Sequence, residues 1–98
     1  MKTNNANRCT LKGYVISELK KVEKNDNAIE FTVKVPRPHE VSKSLYYDKI
    51  DCYVCDRQNV SICKNNLFKG IGVEIKGELR QWFDGTFKVL VHDVKPVY

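Results

Sequence analysis

The sequence predicts an all-β domain: a small barrel of five strands with one short helix. Three observations predict it. Most apolar residues alternate with polar ones at period two, the repeat that sends successive side chains to opposite faces of a strand. A single segment, residues 57–70, spaces its apolar residues at helical intervals instead. That segment falls between the third and fourth strands.

The first strand covers about residues 7–19. Cys9, Leu11, Gly13 and Val15 share one parity, with Lys12 and Tyr14 on the other. Gly13 in mid-strand marks a bend or a close backbone approach. The polar stretch 20–27 ends the strand, and Asn25-Asp26-Asn27 supplies turn chemistry. The second strand, 29–35, alternates most cleanly. Ile29, Phe31, Val33 and Val35 face inward; Glu30, Thr32 and Lys34 face outward. Pro36 and Pro38 stop it. A basic loop, 37–44, follows with Arg37, His39 and Lys43.

The third strand covers about 47–56. In the helical segment Val60, Cys63, Leu67 and Phe68 line one side, and Gly70 suits the position just past the helix C-terminus. The fourth strand is 73–82. Val73, Ile75 and Leu79 point to the core, and Glu74, Lys76, Glu78, Arg80 and Trp82 point away from it. Asp84-Gly85 is a hairpin signal. The fifth strand, 87–94, is stopped by Pro96.

The 98 residues make one domain, 1–98, with a modest core, and residues 1–6 are expected to be flexible. A hydrophobic fraction of 42% and a charged fraction of 30% suit a globular chain rather than a disordered one. Lys and Arg number 17 against 12 acids, a net charge of +5. That balance favours polyanions, nucleic acid first and anionic membrane second. No apolar run approaches a membrane span, and the N-terminus lacks the apolar stretch of a signal peptide. A cytoplasmic protein with no membrane partner is expected.

The four cysteines, Cys9, Cys52, Cys55 and Cys63, should stay thiols in a reducing cytosol. Cys52 and Cys55 have C-x-x-C spacing. Strand alternation, however, puts Cys52 with Ile50 and Val54, and Cys55 on the other face with Asp51 and Tyr53. Ligands on opposite faces cannot grip one metal, so neither a metal site nor a cofactor is expected. Buried thiols acting as small hydrophobes fit better.

No nucleophile elbow, phosphate loop or zinc-protease motif occurs, so a binding protein is expected rather than an enzyme. What emerges is a sorted outward face. Lys34 lies on the second strand, Lys49 and Tyr53 on the third, and Lys76, Arg80 and Trp82 on the fourth. Arg37, His39 and Lys43 lie in the loop beside them. Cations would neutralise phosphates, and Tyr53, Trp82 and Phe83 would stack on bases. Glu74, Glu78 and Asp51 share the face and count against that reading. Trp82 itself has two readings: a stacking platform, or an indole folded over the hairpin to seal its end.

The element order is strand, strand, strand, helix, strand, strand. It is that of the OB-fold, a five-stranded barrel that binds oligonucleotides across one face. An open α+β sheet with a hairpin uses the same elements.

Four segments carry a family resemblance: NRCTLKGYV, IEFTVKVPR, DKIDCYVCDRQ and, most specific, KGIGVEIKGELR. Over about residues 7–94 the chain resembles the bacterial single-stranded DNA-binding proteins and their relative, primosomal replication protein B. The resemblance implies an OB-fold, a homodimer or homotetramer, and sequence-tolerant binding of single-stranded DNA in replication or recombination. By position, His39 falls where the family often has an aromatic in the long loop. Lys49 and Cys55 fall where it often carries stacking aromatics, with Tyr53 between them. Arg80 and Trp82 match its basic and aromatic positions near the end of the fourth strand.

The departures shape the expectation. Lys and Cys at two stacking positions make binding more electrostatic. The 81–87 hairpin is shorter than usual. The sequence ends at VHDVKPVY, short of the family's linker and acidic, Phe-ending tail, which suggests an accessory or mobile-element binder. The alternative is an OB-fold protein-interaction subunit of a primase or helicase complex with weak DNA binding of its own. An RNA-binding domain of the cold-shock class ranks last, because its aromatic motifs are missing. Tyr14 and Ile16, on the outer parity of the first strand, are candidates for an interface between copies.

Overall fold

Alternating residues become strands wherever one face has a core to bury, and here they wrap around a single one. The computed structural model describes residues 6–37 and 46–97. Its elements are β1 (Cys9–Val15), β2 (Lys20–Val22), β3 (Asn25–Pro36), β4 (Tyr47–Val54), helix α1 (Arg57–Asn66), β5 (Gly72–Gln81) and β6 (Phe87–Val97). The sheet runs β1-β5-β6-β4-β3-β2, and β1 also pairs with β3. That second pairing closes five strands into the expected OB barrel, with α1 between β4 and β5. Every pairing is antiparallel except β4 with β6, where Cys52 faces Val89 and Tyr53 faces Leu90.

The barrel interior holds Ile29, Phe31 and Val33 of β3, Cys52 and Val54 of β4, Val73 and Ile75 of β5, and Val89 and Val91 of β6. Val60, Cys63 and Leu67 add the apolar side of α1 to the same core. Asp56 caps the helix by accepting the Asn59 N–H at 2.9 Å. Asn59 is itself buried. Its amide donates to the Asp56 carboxylate and to the His92 carbonyl, and its Oδ1 accepts the Val94 N–H at 3.2 Å. Those contacts hold a β-bulge. Lys76 pairs with Asp93 and Gly77 with Val91, leaving His92 as the extra residue of β6.

Gly13 shows the close approach its position suggests. A Cβ there would lie 2.0 Å from the Lys34 carbonyl oxygen. Only glycine lets β1 cross β3 at that distance.

Five expectations are corrected. The first strand is not one run to residue 19: β1 ends at Val15, and Lys20–Val22 pairs with β3 as β2. The corner between them is held by Ile16 N–H donating to Thr32 O and by Thr32 N–H donating to Ser17 Oγ. A hydroxyl there takes over a ladder partner, so the chain bends without losing bonds. Gly70 is not the residue after the helix. Leu67 ends α1 in extended conformation, while Gly70, at φ 94°, turns the chain toward β5 and donates to Val15 O. Phe68 is 61% exposed and adds nothing to the core. Leu79 is 48% exposed because β5 runs on beyond its last pair with β1, Cys9–Gly77, and Asn7 bonds both its N–H and its C=O. Pro96 does not stop β6, which continues to Val97. At that point β6 pairs with β5 only, among the described strands, so a missing N–H is tolerated.

The C-x-x-C pair is split as expected. Cys52 and Cys63 are buried and Cys55 is exposed. Burial pushes the Cys52 and Cys63 thiols up to about 12. A thiol-labelling time course at mildly alkaline pH should therefore modify Cys55 first and reach Cys52 and Cys63 only on unfolding, which mass spectrometry of labelled peptides would show. Early labelling of Cys52 would mean that the barrel opens far more readily than its packing implies. Among the described residues, no helix is long and apolar enough to cross a membrane.

Candidate nucleic-acid interface

Parity decides which side chains reach the outer face, and register decides which of them meet. Glu30, Thr32 and Lys34 of β3 stand opposite Tyr53, Asp51 and Lys49 of β4. Tyr53 stands opposite Leu90 of β6, and Glu78 and Arg80 of β5 stand opposite Leu90 and Lys88. The face therefore continues across β3, β4, β6 and β5.

Its aromatic centre is a pair that the sequence placed on separate strands. The Tyr53 and Trp82 rings lie 5.2 Å apart between centroids, edge to face at 61°. The Lys88 ammonium sits 5.2 Å from the centre of the indole and 3.1 Å from a Glu30 carboxylate oxygen. Trp82 is half-buried, and it is not among the apolar residues packed on the core. Its backbone closes the hairpin: Trp82 N–H donates to Thr86 O, and Gly85 N–H donates to Trp82 O. The side chain rests on Tyr53 and Lys88. Beyond it Phe83 is 97% exposed at the turn. Asp84 stiffens that turn by accepting the Thr86 N–H and hydroxyl, and the hydroxyl bond holds the Asp84 carboxyl below its ordinary value.

The acids of this face are engaged within the molecule. Glu74 pairs with Lys12 at 3.5 Å. Glu78 accepts from Arg80 at 2.9 Å and lies 3.6 Å from His92. The Arg80 bond, ahead of His92, holds the Glu78 carboxyl below its usual range. Asp51 accepts the Thr32 hydroxyl. The ion pairs of Glu74 and Glu78 lower the repulsion an incoming phosphate would meet, and each also occupies a cation; the Thr32 hydroxyl leaves Asp51 its charge.

The anticipated contacts therefore divide. Tyr53 and Trp82 come together. Lys34 and Lys49 stand side by side further along β3 and β4. Lys76 is exposed on β5, where its cross-strand neighbours are Thr10 and Asp93. Arg80 is shared with Glu78. Arg37 lies at the far end of β3, its Nε 3.3 Å from Asp48 in an ion pair without hydrogen-bond alignment. Phe83 is free at the hairpin tip. His39 and Lys43 lie outside the described residues. Lys88 was missed: its parity on the fifth strand was readable, but its bond to Glu30, 58 residues away, is tertiary.

No family model matches the chain, and no curated protein matches it. Solved structures do. The N-terminal domain of PriB from Thermoanaerobacter tencongensis, a dimeric structure, superposes with a TM-score of 0.75 at 24% identity, covering 96% of this chain and 99% of that one. The single-stranded DNA-binding protein of Plasmodium falciparum, in complex with single-stranded DNA, gives 0.74 at 19% identity over 100% of both chains. A small single-stranded DNA-binding protein of Streptomyces coelicolor gives 0.74 at 12% identity over 97% and 96%. At such identities the likeness is one of architecture: this chain has the OB barrel of the single-stranded DNA-binding and PriB proteins.

Proposed function

We propose that this chain binds single-stranded DNA with little sequence preference, in replication or recombination, as a homodimer or homotetramer with no catalytic role of its own. The observation that carries the reading is the Trp82 indole, held on the outer barrel face by Tyr53 and Lys88. A base can stack on an indole whatever its identity, because every base has a π-face. Lys34, Lys49 and Lys76 have no carboxylate partner among the described residues and remain available to phosphates. Structural likeness to proteins named for single-stranded DNA binding supports the same reading. The narrower role, an accessory or mobile-element binder, is supported by Lys49 and Cys55 standing where stacking rings are common in the resembling family. Phe83 favours a second reading, a subunit that docks on a primase or helicase, because a fully exposed ring at a stiff turn suits a protein contact.

Trp82 is the sole tryptophan, so its fluorescence reports one place. Titration with oligo-dT should quench it, and duplex DNA should not. Three phosphates neutralised by the three free lysines give a salt slope of roughly −2, or about twentyfold weaker binding on going from about 50 to about 200 mM salt. Absence of quenching, together with no retention in a filter or gel-shift assay, would remove the proposal and leave the docking subunit.

A further inference from the structure

We propose a second base-stacking station on the same face, built by Tyr14, Lys34 and Tyr47; it rests on the single-strand reading above. The Lys34 ammonium lies 5.8 Å from the centre of the Tyr14 ring and 5.6 Å from the centre of the Tyr47 ring. Three strands supply the three residues, because β1 and β4 flank β3 where the barrel closes. The two rings share one cation and yet remain open, Tyr14 at 47% and Tyr47 at 41% exposure. Neither belongs to the core. A ring held in place by a cation at one side and open to solvent at another has the form of a stacking platform.

Charge points to what lies on it. Lys34 stands directly opposite Lys49 in the β3–β4 ladder, on the same face. Like charges in that position repel. No carboxylate among the described residues pairs with either. A phosphate between them relieves the repulsion, and a nucleotide brings both the phosphate and a base for the adjoining tyrosines.

The station lies four residues along β3 from Glu30, which adjoins Tyr53, Lys88 and Trp82. At strand rise that separation is about 13 Å. A single strand running along β3 and β4 therefore meets rings and lysines at both ends, Lys34 and Lys49 at one and Lys88 at the other, and passes the Thr32–Asp51 pair between them. A short oligonucleotide reaches one end; a longer one reaches both.

The test compares the thymidine dinucleotide, too short to reach both ends, with oligo-dT of about sixteen nucleotides, the upper site size for one OB barrel. Binding is read by Trp82 quenching in the unaltered protein and in Tyr47→Ala, Tyr14→Ala and Tyr47→Phe, with melting curves confirming folding. Tyr47→Ala and Tyr14→Ala should each weaken the longer strand about tenfold and change the shorter one less than about twofold. Tyr47→Phe, which keeps the ring, should bind as the unaltered protein does. Undiminished binding of the longer strand by both alanine variants overturns the station and leaves the Trp82 end standing. Equal losses for both lengths overturn it as well, because the tyrosines then act through the fold. A Tyr14→Ala protein with altered mass in sedimentation and unaltered affinity assigns that ring to contact between copies instead. Failure of the unaltered protein to bind either strand removes the station together with the function it rests on.

Discussion

Replacing Trp82 with alanine is expected to weaken oligo-dT binding by between about tenfold and about a hundredfold, the usual worth of one stacked base. The stability of the fold should barely move, because the indole lies on Tyr53 and Lys88 rather than in the barrel. Trp82→Phe should recover part of the loss, since a smaller ring still stacks. Lys88→Gln should cost a few-fold: it removes a cation from the indole and leaves Glu30 as an unpaired negative charge on the face. Fluorescence polarisation with an end-labelled strand measures all three variants without relying on the tryptophan itself. The opposite pattern, unaltered affinity with a melting midpoint lowered by several degrees, would identify the indole as a lid on the β5–β6 hairpin.

Asn59→Leu should be the most damaging change at a single polar side chain. The residue is 7% exposed and bonds three partners at once: the cap of α1, the carbonyl of His92 and the N–H of Val94. Leucine fills a similar space but leaves the two β6 backbone groups without partners at the bulge. Each buried group so stranded costs about 1–3 kcal/mol, so the change should destabilise by about 4 kcal/mol. For a domain of this size that lowers the melting midpoint by roughly 20 °C. Urea denaturation would measure the loss directly, and a shift below about 1 kcal/mol would mean that water or a rearranged bulge satisfies those groups.

Wherever burial sorts the residues, the barrel is legible in the chain. Ile29, Phe31 and Val33 alternate because β3 has a core on one face and solvent on the other, and the same alternation put Tyr53 and Trp82 outward. Gly13 was legible for a related reason: a glycine inside a strand usually marks a backbone that comes too close for a Cβ. Strand β2 was not legible. Its residues, KKV, are held by backbone pairing to β3 at a rim where side chains bury little, so no apolar pattern marks it. Pro96 misled because the cost of a proline depends on which neighbours a strand has at that point, and that is a tertiary fact. Leu79 misled because parity tells which way a side chain points, not whether the neighbouring strand, here β1, extends far enough to cover it. In the site, the rings could be read from sequence. The ion pairs that engage Glu74, Glu78 and Glu30 could not, since most of their partners come from other strands.

The ladder that closes the barrel is short: Tyr14 with Lys34 and Val15 with Val33. The ladder between β3 and β4 runs from Ile29–Val54 to Pro36–Tyr47. Thermal breathing begins where few backbone bonds must break together, so this seam opens before the β3–β4 ladder does. Its two lips carry Tyr14 on one side and Lys34 with Tyr47 on the other. A polymer resting on both lips acts as a clasp, favouring the shut form by its affinity for that form alone. Occupancy and breathing are then one equilibrium seen from two sides: the loaded barrel is the stiffer one, and whatever prises the seam apart also sheds the load.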